Sequence, residues 1–402
     1  MERKWPLPLV FLLAAPLGIT GARVQSQANP VVIGEVVHIR SNVLHEDRVL
    51  LISKPAGYED GADRYPVLYL LDGETHFRYS SGIVEFLAAN DRIPKMLVIG
   101  IGSGSFAQRT RDLTPPSSAE IDNRFSPGNG GADTFLSFVA GELIPFVEKT
   151  YRTRPYRVLA GHSYGGLFTI HALTSRPKLF NAYIAIDPSL AWNQGAVVAQ
   201  AESFFSKTKE FQADLYLTAA NSGGTLPGGV RRLTDLLGEK APAGFRWRFE
   251  WMKEETHASI PLRSMHQGLD AIFDGWHLTD PLELFDKGGI EAIQRHFRDG
   301  GVRCGYDRTT PPFTVSLVVA GLMRMGRLEE ASEVLLHDPK AYPPPWNQLD
   351  ALARAYSDLG NGERAAHYYI LSLKQNPQNE WAKRKLAEMG VEGEDASRKK
   401  RR

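Results

Sequence analysis

The segment GHSYGG, residues 161–166, places a serine between small residues two positions away on either side. It follows the short apolar run 157–160 and precedes an apolar helix start at Leu167. A serine on a sharp turn from strand to helix needs small neighbours because the backbone crowds itself there. Such a turn raises the hydroxyl above the sheet and directs N–H groups of the helix start to the same place. Ser163 is therefore predicted to be a nucleophile, with a capping serine in a glycine-rich turn as the alternative.

A histidine with the position of a general base follows late in the chain. Residues 245–251 alternate like a strand, a polar loop comes next, and residues 262–273 have a helical pattern. His257 lies in that loop, after the serine, in the chain order of α/β-hydrolases. It is predicted to take the proton of Ser163, with a surface or capping histidine as the alternative. His162, inside the turn, is predicted to pack and hydrogen-bond rather than to act as a base.

Short apolar runs alternate with longer amphipathic segments over the first two thirds of the chain. The runs are residues 67–71, 96–101, 157–160, 183–186 and 215–218. Runs of this length, each followed by a turn and a helical pattern, are typical of strands buried on both faces of a mostly parallel sheet. Residues 133–150 and 166–175 have helical periodicity. We therefore predict an α/β sandwich over residues 29–280, with helices on both faces of a mostly parallel sheet.

Composition excludes several other classes of protein. A chain of 402 residues is long enough for two domains, and its 47 Lys and Arg against 46 Asp and Glu leave no basic excess for nucleic-acid binding. The single cysteine, Cys304, excludes an internal disulfide and a multi-cysteine metal site. The 11 histidines contain no HExxH pair. We expect neither a metal nor a cofactor.

The two ends of the chain have compositions of their own. Two basic residues, Arg3 and Lys4, precede an apolar stretch over residues 5–19 that three prolines interrupt, and small residues suitable for cleavage follow. This pattern predicts a signal peptide over residues 1–28, hence a periplasmic or secreted protein without a transmembrane segment after cleavage. Residues 393–402 are predicted to be a basic disordered tail.

The last third of the chain lacks strand-like runs and repeats itself at a shift of 34 residues. The shift pairs glycines 326 and 360, alanines 331 and 365, and prolines 343 and 377. This period is that of the tetratricopeptide repeat, so residues 311–392 are predicted to be a small all-α domain of this kind, joined by a helical linker at 281–310. A generic helical hairpin is the alternative. The repeats would bind a protein partner, or pack against the hydrolase and shape its cleft.

Four segments together resemble the putative-esterase (esterase D-like) family of α/β-hydrolases. They are residues 65–73, 161–166, 186–192 and 255–261, and the resemblance covers about residues 30–280. That family includes siderophore-hydrolysing and feruloyl esterases and relatives of the mycolyltransferases. The resemblance implies Ser163 as nucleophile and His257 as base. It also implies an oxyanion hole from the backbone N–H of Tyr164 and that of Gly73 or Glu74.

The acid of the triad is where the chain departs from the family pattern. Members usually carry a carboxylate in the turn that here spans residues 219–224, and this turn has none. Three substitutes remain: Asp187 at the end of the preceding strand, Glu255 beside the histidine, or a Ser–His dyad oriented by Asn221 or water. We favour Asp187.

Side chains near the motifs are candidates for a substrate pocket. Phe77, Tyr164 and Trp192 would line an acyl or aromatic pocket, or else belong to the core. Arg109 and Arg111 would meet an anionic substrate. Arg111 and Asp112 form an Arg-Asp pair of the kind that family members have at this place, which favours a salt bridge inside the loop.

The predicted function is an exported serine esterase that forms an acyl-enzyme on Ser163 and hydrolyses a siderophore-, feruloyl- or acyl-ester-like small molecule. An acyltransferase of the same fold is one alternative, in which an alcohol outcompetes water. A binding protein with reduced or lost activity, acting through the helical repeats, is the other.

Overall fold

The computed structural model describes residues 30–340 and 342–391. The chain divides into two units, residues 1–33 and 34–402. Of the first unit, only residues 30–33 are described, and they form no helix or strand. The predicted signal peptide, 1–28, and the predicted basic tail, 393–402, lie outside the described residues.

An eight-stranded sheet forms the centre of the second unit, in the order β1-β2-β4-β3-β5-β6-β7-β8. Strands β3 to β8 pair in parallel, and β1 and β2 join one edge in antiparallel pairing. The bounds are β1 Glu35–Arg40, β2 Asp47–Ser53, β3 Tyr65–Leu70, β4 Leu97–Ile101, β5 Thr153–His162, β6 Ala182–Ile186, β7 Glu210–Ala220 and β8 Ala243–Met252. The mostly parallel sheet confirms the predicted fold class.

Helices cover both faces of this sheet, which explains why its strands β3, β4 and β6 are apolar along their whole length. Strands β3, β4 and β6 are buried at every residue. The helices are α1 Gly73–Ala89, α2 Phe106–Leu113, α3 Glu120–Phe125, α4 Ala132–Phe138, α5 Ile144–Thr150, α6 Tyr164–Ser175, α7 Ala196–Lys207, α8 Gly228–Lys240 and α9 Ile260–Ile272. A π-helical turn, Val139–Leu143, joins α4 to α5, and a 3₁₀ turn, Trp192–Gly195, precedes α7.

The chain beyond the sheet is entirely helical over its described residues. The segment α10 Pro281–Arg303, which is kinked where Gly288 and Gly289 leave the helical conformation, leads to α11 Pro312–Arg324, α12 Leu328–Leu336, α13 Trp346–Asp358, α14 Gly362–Gln375 and α15 Glu380–Glu388. Ala331 and Ala365, which the 34-residue shift pairs, are both fully buried and occupy corresponding places in α12 and α14. Within the described ranges no helix is long and apolar enough to cross a membrane.

Helix α10 belongs to the packed interior rather than to a free linker. Ile290, Ile293 and Phe297 lie in the core of the helical region, and Cys304, just past the helix end, lies in the core beneath the sheet. The following loop contacts the region of the central sheet through Tyr306, whose ring centroid is 3.8 Å from the guanidinium carbon of Arg154.

This junction lies at the amino ends of the parallel strands. Arg154 is the second residue of β5, and Asp91, which pairs with Arg308 at 2.7 Å, precedes β4. The GHSYGG turn is at the other end of β5, roughly 30 Å away along a ten-residue strand. The junction therefore gives no support to the expectation that the helical region shapes the cleft at the carboxyl ends.

Candidate active site

Ser163 occupies a strained turn between β5 and α6. Its φ and ψ are 61° and −115°, a conformation that costs a non-glycine residue about 1–3 kcal/mol. Gly161 is required here, because a Cβ on it would come within 2.9 Å of the Gly165 Cα. Ser163 Oγ is 3.4 Å from Ser189 Oγ. The turn thus holds the serine at the carboxyl edge of the sheet.

Positive φ recurs at this edge. Asp72 follows β3 with φ 54°, and Asp187 follows β6 with φ 38°. Together with Ser163 after β5, three neighbouring strands end in a strained polar residue. Such strain collects at functional sites, where surrounding contacts hold it in place.

The carboxylate of Asp187 contacts the imidazole of His257. Asp187 Oδ2 lies 2.6 Å from His257 Nδ1, and the backbone N–H of Ala220 donates to Asp187 Oδ1 at 3.1 Å. Asp187 is buried, whereas the His257 side chain is 54% exposed. A histidine held through Nδ1 presents Nε2 for proton transfer.

The other candidates for the acid are engaged elsewhere. The Glu255 carboxylate accepts a hydrogen bond from the Ser259 hydroxyl at 2.6 Å. The Asn221 amide donates to the carbonyl of Lys253 at 2.9 Å. The structure therefore brings Asp187 to His257 and directs Glu255 and Asn221 to the loop that carries the histidine.

The backbone donors predicted for an oxyanion hole lie at the starts of two helices. Gly73 and Glu74 are the first two residues of α1, and Tyr164 is the first residue of α6. N–H groups at these positions have no carbonyl partner within their helix. The two helix starts are neighbours, since a Cβ on Gly165 would be 3.4 Å from Asp72 Oδ2.

Asp72 is a buried carboxylate whose role the sequence did not reveal. Arg109 donates to both of its oxygens, at 2.7 and 2.9 Å, and the Ser103 hydroxyl donates at 2.6 Å. Its backbone carbonyl accepts the N–H of Thr75 at 3.0 Å, which closes the first turn of α1. Asp72 thus ties the turn that carries Gly73 to α2.

Three predicted pocket residues have structural contacts instead. Arg109 is committed to Asp72, so its guanidinium is not free for an anionic substrate. Phe77 is buried against β4, 3.1 Å from where a Cβ on Gly100 would be, because four residues past Gly73 the side chain faces the sheet. Trp192 is buried and donates its indole N–H to the Pro115 carbonyl at 2.9 Å.

The other aromatic and charged candidates have these contacts. The Tyr164 hydroxyl is 2.8 Å from Ser126 Oγ, and its ring packs edge-on against Trp192. Arg111 bonds Asp112 at 2.8 Å and Glu46 at 2.6 Å, so this ion-pair cluster joins α2 to the start of β2 and is not confined to one loop as predicted. Hydrogen bonding to Arg111 lowers the pKa of Glu46 to about 2.

The ring of His162, the residue before the serine, contacts the rings of two other histidines. The ring centroids of His162 and His257 are 4.4 Å apart, and those of His162 and His76 are 5.7 Å apart. Burial lowers the pKa of His162 to about 4, and the rings of His257 and His76 act in the same direction. Burial also lowers the pKa of His76. His162 is therefore neutral at physiological pH.

A cavity of about 310 Å³ opens beside His257. Segment 187–191 and the start of α8 form its walls. Over residues 30–340 and 342–391, no group of three His, Cys, Asp or Glu is arranged to hold a metal ion.

Residues 41–223 match the family model described as "Putative esterase". The chain is 29% identical over 233 residues to the ferri-bacillibactin esterase BesA of Bacillus subtilis, covering 52% of this chain and 79% of that protein. It is 32% identical over 176 residues to the siderophore triacetylfusarinine C esterase of Aspergillus fumigatus, covering 41% of this chain and 59% of the fungal protein.

Among solved structures, the IroE-like serine hydrolase of Shewanella oneidensis superposes with a TM-score of 0.61 at 27% identity. The superposition covers 75% of this chain and 97% of that one. Fold and similarities together support the class of ester hydrolases with the α/β-hydrolase fold. Within that class, residues 41–223 are similar to the putative-esterase family.

Proposed function

We propose that the chain is an exported serine esterase in which Ser163, His257 and Asp187 form a catalytic triad. The 2.6 Å contact between Asp187 Oδ2 and His257 Nδ1 is the observation that supports it most directly. Buried and bonded to Ala220 as well, the carboxylate orients the ring and stabilises the imidazolium that forms during the reaction.

In the acylation step, Ser163 Oγ bonds to the ester carbonyl carbon while His257 takes the hydroxyl proton. The C–O bond to the alcohol then breaks, and His257 gives that proton to the departing oxygen. In the second step, water gives a proton to His257 and attacks the acyl-enzyme. The acid leaves, and Ser163 regains its proton.

The tetrahedral intermediates of both steps carry a negative oxygen. In this proposal, the N–H groups of Tyr164 and of Gly73 or Glu74 donate to it, since they are unpaired within their helices and belong to neighbouring turns. Asp72 is then a positioning residue, because its contacts with Arg109 and Ser103 fix the turn before Gly73.

The substrate class rests on the relatives. Two of them are named as esterases of siderophores, so a siderophore-like ester is the substrate we propose. The half-exposed His257 is compatible with a bulky substrate, because it lies at the surface.

The domain plan belongs to the same proposal. Residues 1–28 direct export, 29–280 carry the esterase, and 311–392 form tetratricopeptide-like repeats that bind a protein partner. The equivalent burial of Ala331 and Ala365 supports a structural repeat.

The test is hydrolysis of short- and long-chain p-nitrophenyl esters by the mature protein, together with labelling by a fluorophosphonate. Ser163→Ala is expected to lose both turnover and label, and His257→Ala to lose turnover. Ser137→Ala is the matched control, because this half-buried serine of α4 bonds the Asp133 carbonyl, and it keeps both. Labelling that persists in Ser163→Ala would overturn the assignment of the nucleophile.

A further inference from the structure

The cavity beside His257 has two walls with different packing. Segment 187–191 forms one wall, and α8, which begins at Gly228, forms the other. Gly229 is required by packing, because a Cβ there would be 2.7 Å from the Leu190 Cβ. Gly228 has no such requirement. A Cβ on it would meet no heavy atom within 4 Å, so the glycine leaves the cavity mouth open.

We propose that this cavity binds the alcohol portion of the ester and that Gly228 sets the size of alcohol that fits; this inference rests on the proposed esterase function. His257 lines the cavity. Because the base must hand its proton to the departing oxygen, the group attached to that oxygen extends into the space beside the imidazole. The carbonyl oxygen of the ester faces the proposed donors at Tyr164 and at Gly73 or Glu74.

The lining indicates an uncharged alcohol. Among the described residues around the cavity, the only carboxylate is that of Asp187, which is committed to His257 and Ala220, and no lysine or arginine is present. A charged group would be desolvated there without a counter-ion. The exposed Ala191 supplies apolar surface, and the N–H groups at the start of α8 favour an oxygen-bearing group.

The volume sets the scale of this group. An engineered cavity of about 150 Å³ in another protein binds benzene, and this cavity measures about 310 Å³. It therefore accepts one aromatic ring, or a hydroxy-acid unit of that size, in addition to the linking atoms.

The experiment compares two ester series by pH-stat. The first keeps the acetyl group and changes the alcohol from ethyl to 2-phenylethyl. The second keeps ethanol and changes the acid from acetic to 3-phenylpropanoic. In Gly228→Leu, the ratio of kcat/KM for 2-phenylethyl over ethyl acetate is expected to fall about tenfold or more, since a filled pocket discriminates by that amount. The acyl ratio, which is kcat/KM for ethyl 3-phenylpropanoate over ethyl acetate, stays unchanged.

Two further variants make the result specific. Ala191→Leu, on the opposite wall, is expected to lower the alcohol ratio in the same way. Gly238→Leu is the matched control at the far end of the same helix, because a Cβ there also meets nothing within 4 Å. It leaves both ratios unchanged. An acyl ratio that falls as far as the alcohol ratio would overturn the assignment.

The charge preference has its own comparison. Acetylcholine and its uncharged isostere 3,3-dimethylbutyl acetate differ only by a cationic nitrogen, and the parent enzyme is expected to favour the isostere. A preference for acetylcholine would contradict the uncharged alcohol. If the parent hydrolyses none of these esters, the esterase proposal itself fails. If the parent is active but the variants keep its ratios, only the assignment of the alcohol pocket is rejected.

Discussion

Asp187 lies 2.6 Å from Nδ1 of His257, although 70 residues separate them in the chain. The pair joins the end of β6 to the loop after β8, whereas the turn after β7, where the family resemblance would place the acid, carries no carboxylate. Four predictions follow from this and neighbouring contacts.

Replacing the acid is expected to impair the chemical step. Asp187→Asn loses the charge that orients His257 and stabilises its imidazolium, so kcat should fall roughly 10²- to 10⁴-fold. Glu255→Gln is the matched control, because Glu255 contacts Ser259 and is expected to change kcat only slightly. Steady-state kinetics on p-nitrophenyl acetate check both. A larger loss in Glu255→Gln than in Asp187→Asn would make Glu255 the acid.

Acid is expected to destabilise the fold through His162. Its pKa is about 4 in the folded chain and near 6.5 when unfolded. The unfolded chain therefore binds more protons between these values, and stability falls as the pH drops through them. At pH 4 the lowered pKa of His162 corresponds to a loss of about 3 kcal/mol in the free energy of unfolding.

Urea unfolding at pH 7 and pH 4 measures this effect. His162→Asn should lose less free energy of unfolding between the two pH values than the parent does. His38→Asn, at an exposed position of β1, serves as the control and should follow the parent. Equal losses in the parent and His162→Asn would refute the role of His162.

The ion pair beneath Gly73 is expected to matter for stability and activity together. Arg109→Gln leaves the buried Asp72 carboxylate without its cation, at a cost of about 3–5 kcal/mol. Arg40→Gln breaks an exposed pair with Asp47 and should cost about 0–1 kcal/mol.

A double variant, Asp72→Asn with Arg109→Gln, separates charge from shape. It should be more stable than Arg109→Gln alone, because no buried charge remains unpaired. Denaturant unfolding and kcat, measured on the same preparations, check this. A double variant less stable than Arg109→Gln would show that the lost hydrogen bonds, not the unpaired charge, cause the destabilisation.

The junction with the helical region is expected to affect stability without affecting chemistry. Arg308 bonds Asp91 at 2.7 Å and stacks 4.0 Å from the Trp276 ring centroid. Arg308→Ala should cost about 2–3 kcal/mol. Below its melting temperature, however, kcat should equal that of the parent, since β5 separates the junction from Ser163. Arg298→Ala, exposed on α10, should change neither. A reduced kcat in folded Arg308→Ala would show that the junction influences the chemistry at Ser163, contrary to this prediction.

Buried strands and the serine turn could be predicted from the sequence because their signals are local. The run 67–71 is apolar throughout, and Gly161 and Gly165 stand at fixed offsets from Ser163. Strand β1 was not predicted, because most of its residues are exposed and its pattern is weak.

Pairings between distant residues could not be derived from spacing. Arg109 meets Asp72 across 37 residues, and nothing local to either distinguishes that contact from substrate binding. Phe77 was placed near the pocket because it follows a motif. Proximity in the chain does not give the side chain's direction, which the helix turns towards the core.

The attachment of the helical region at the amino ends of the strands has a further consequence. A partner that binds this region would meet the molecule on the side opposite Ser163. The carboxyl edge of the sheet, with the proposed catalytic residues, would then remain accessible to solvent. Partner binding and ester hydrolysis would then use different surfaces. A large substrate could approach the partner-bound protein as freely as the unbound protein.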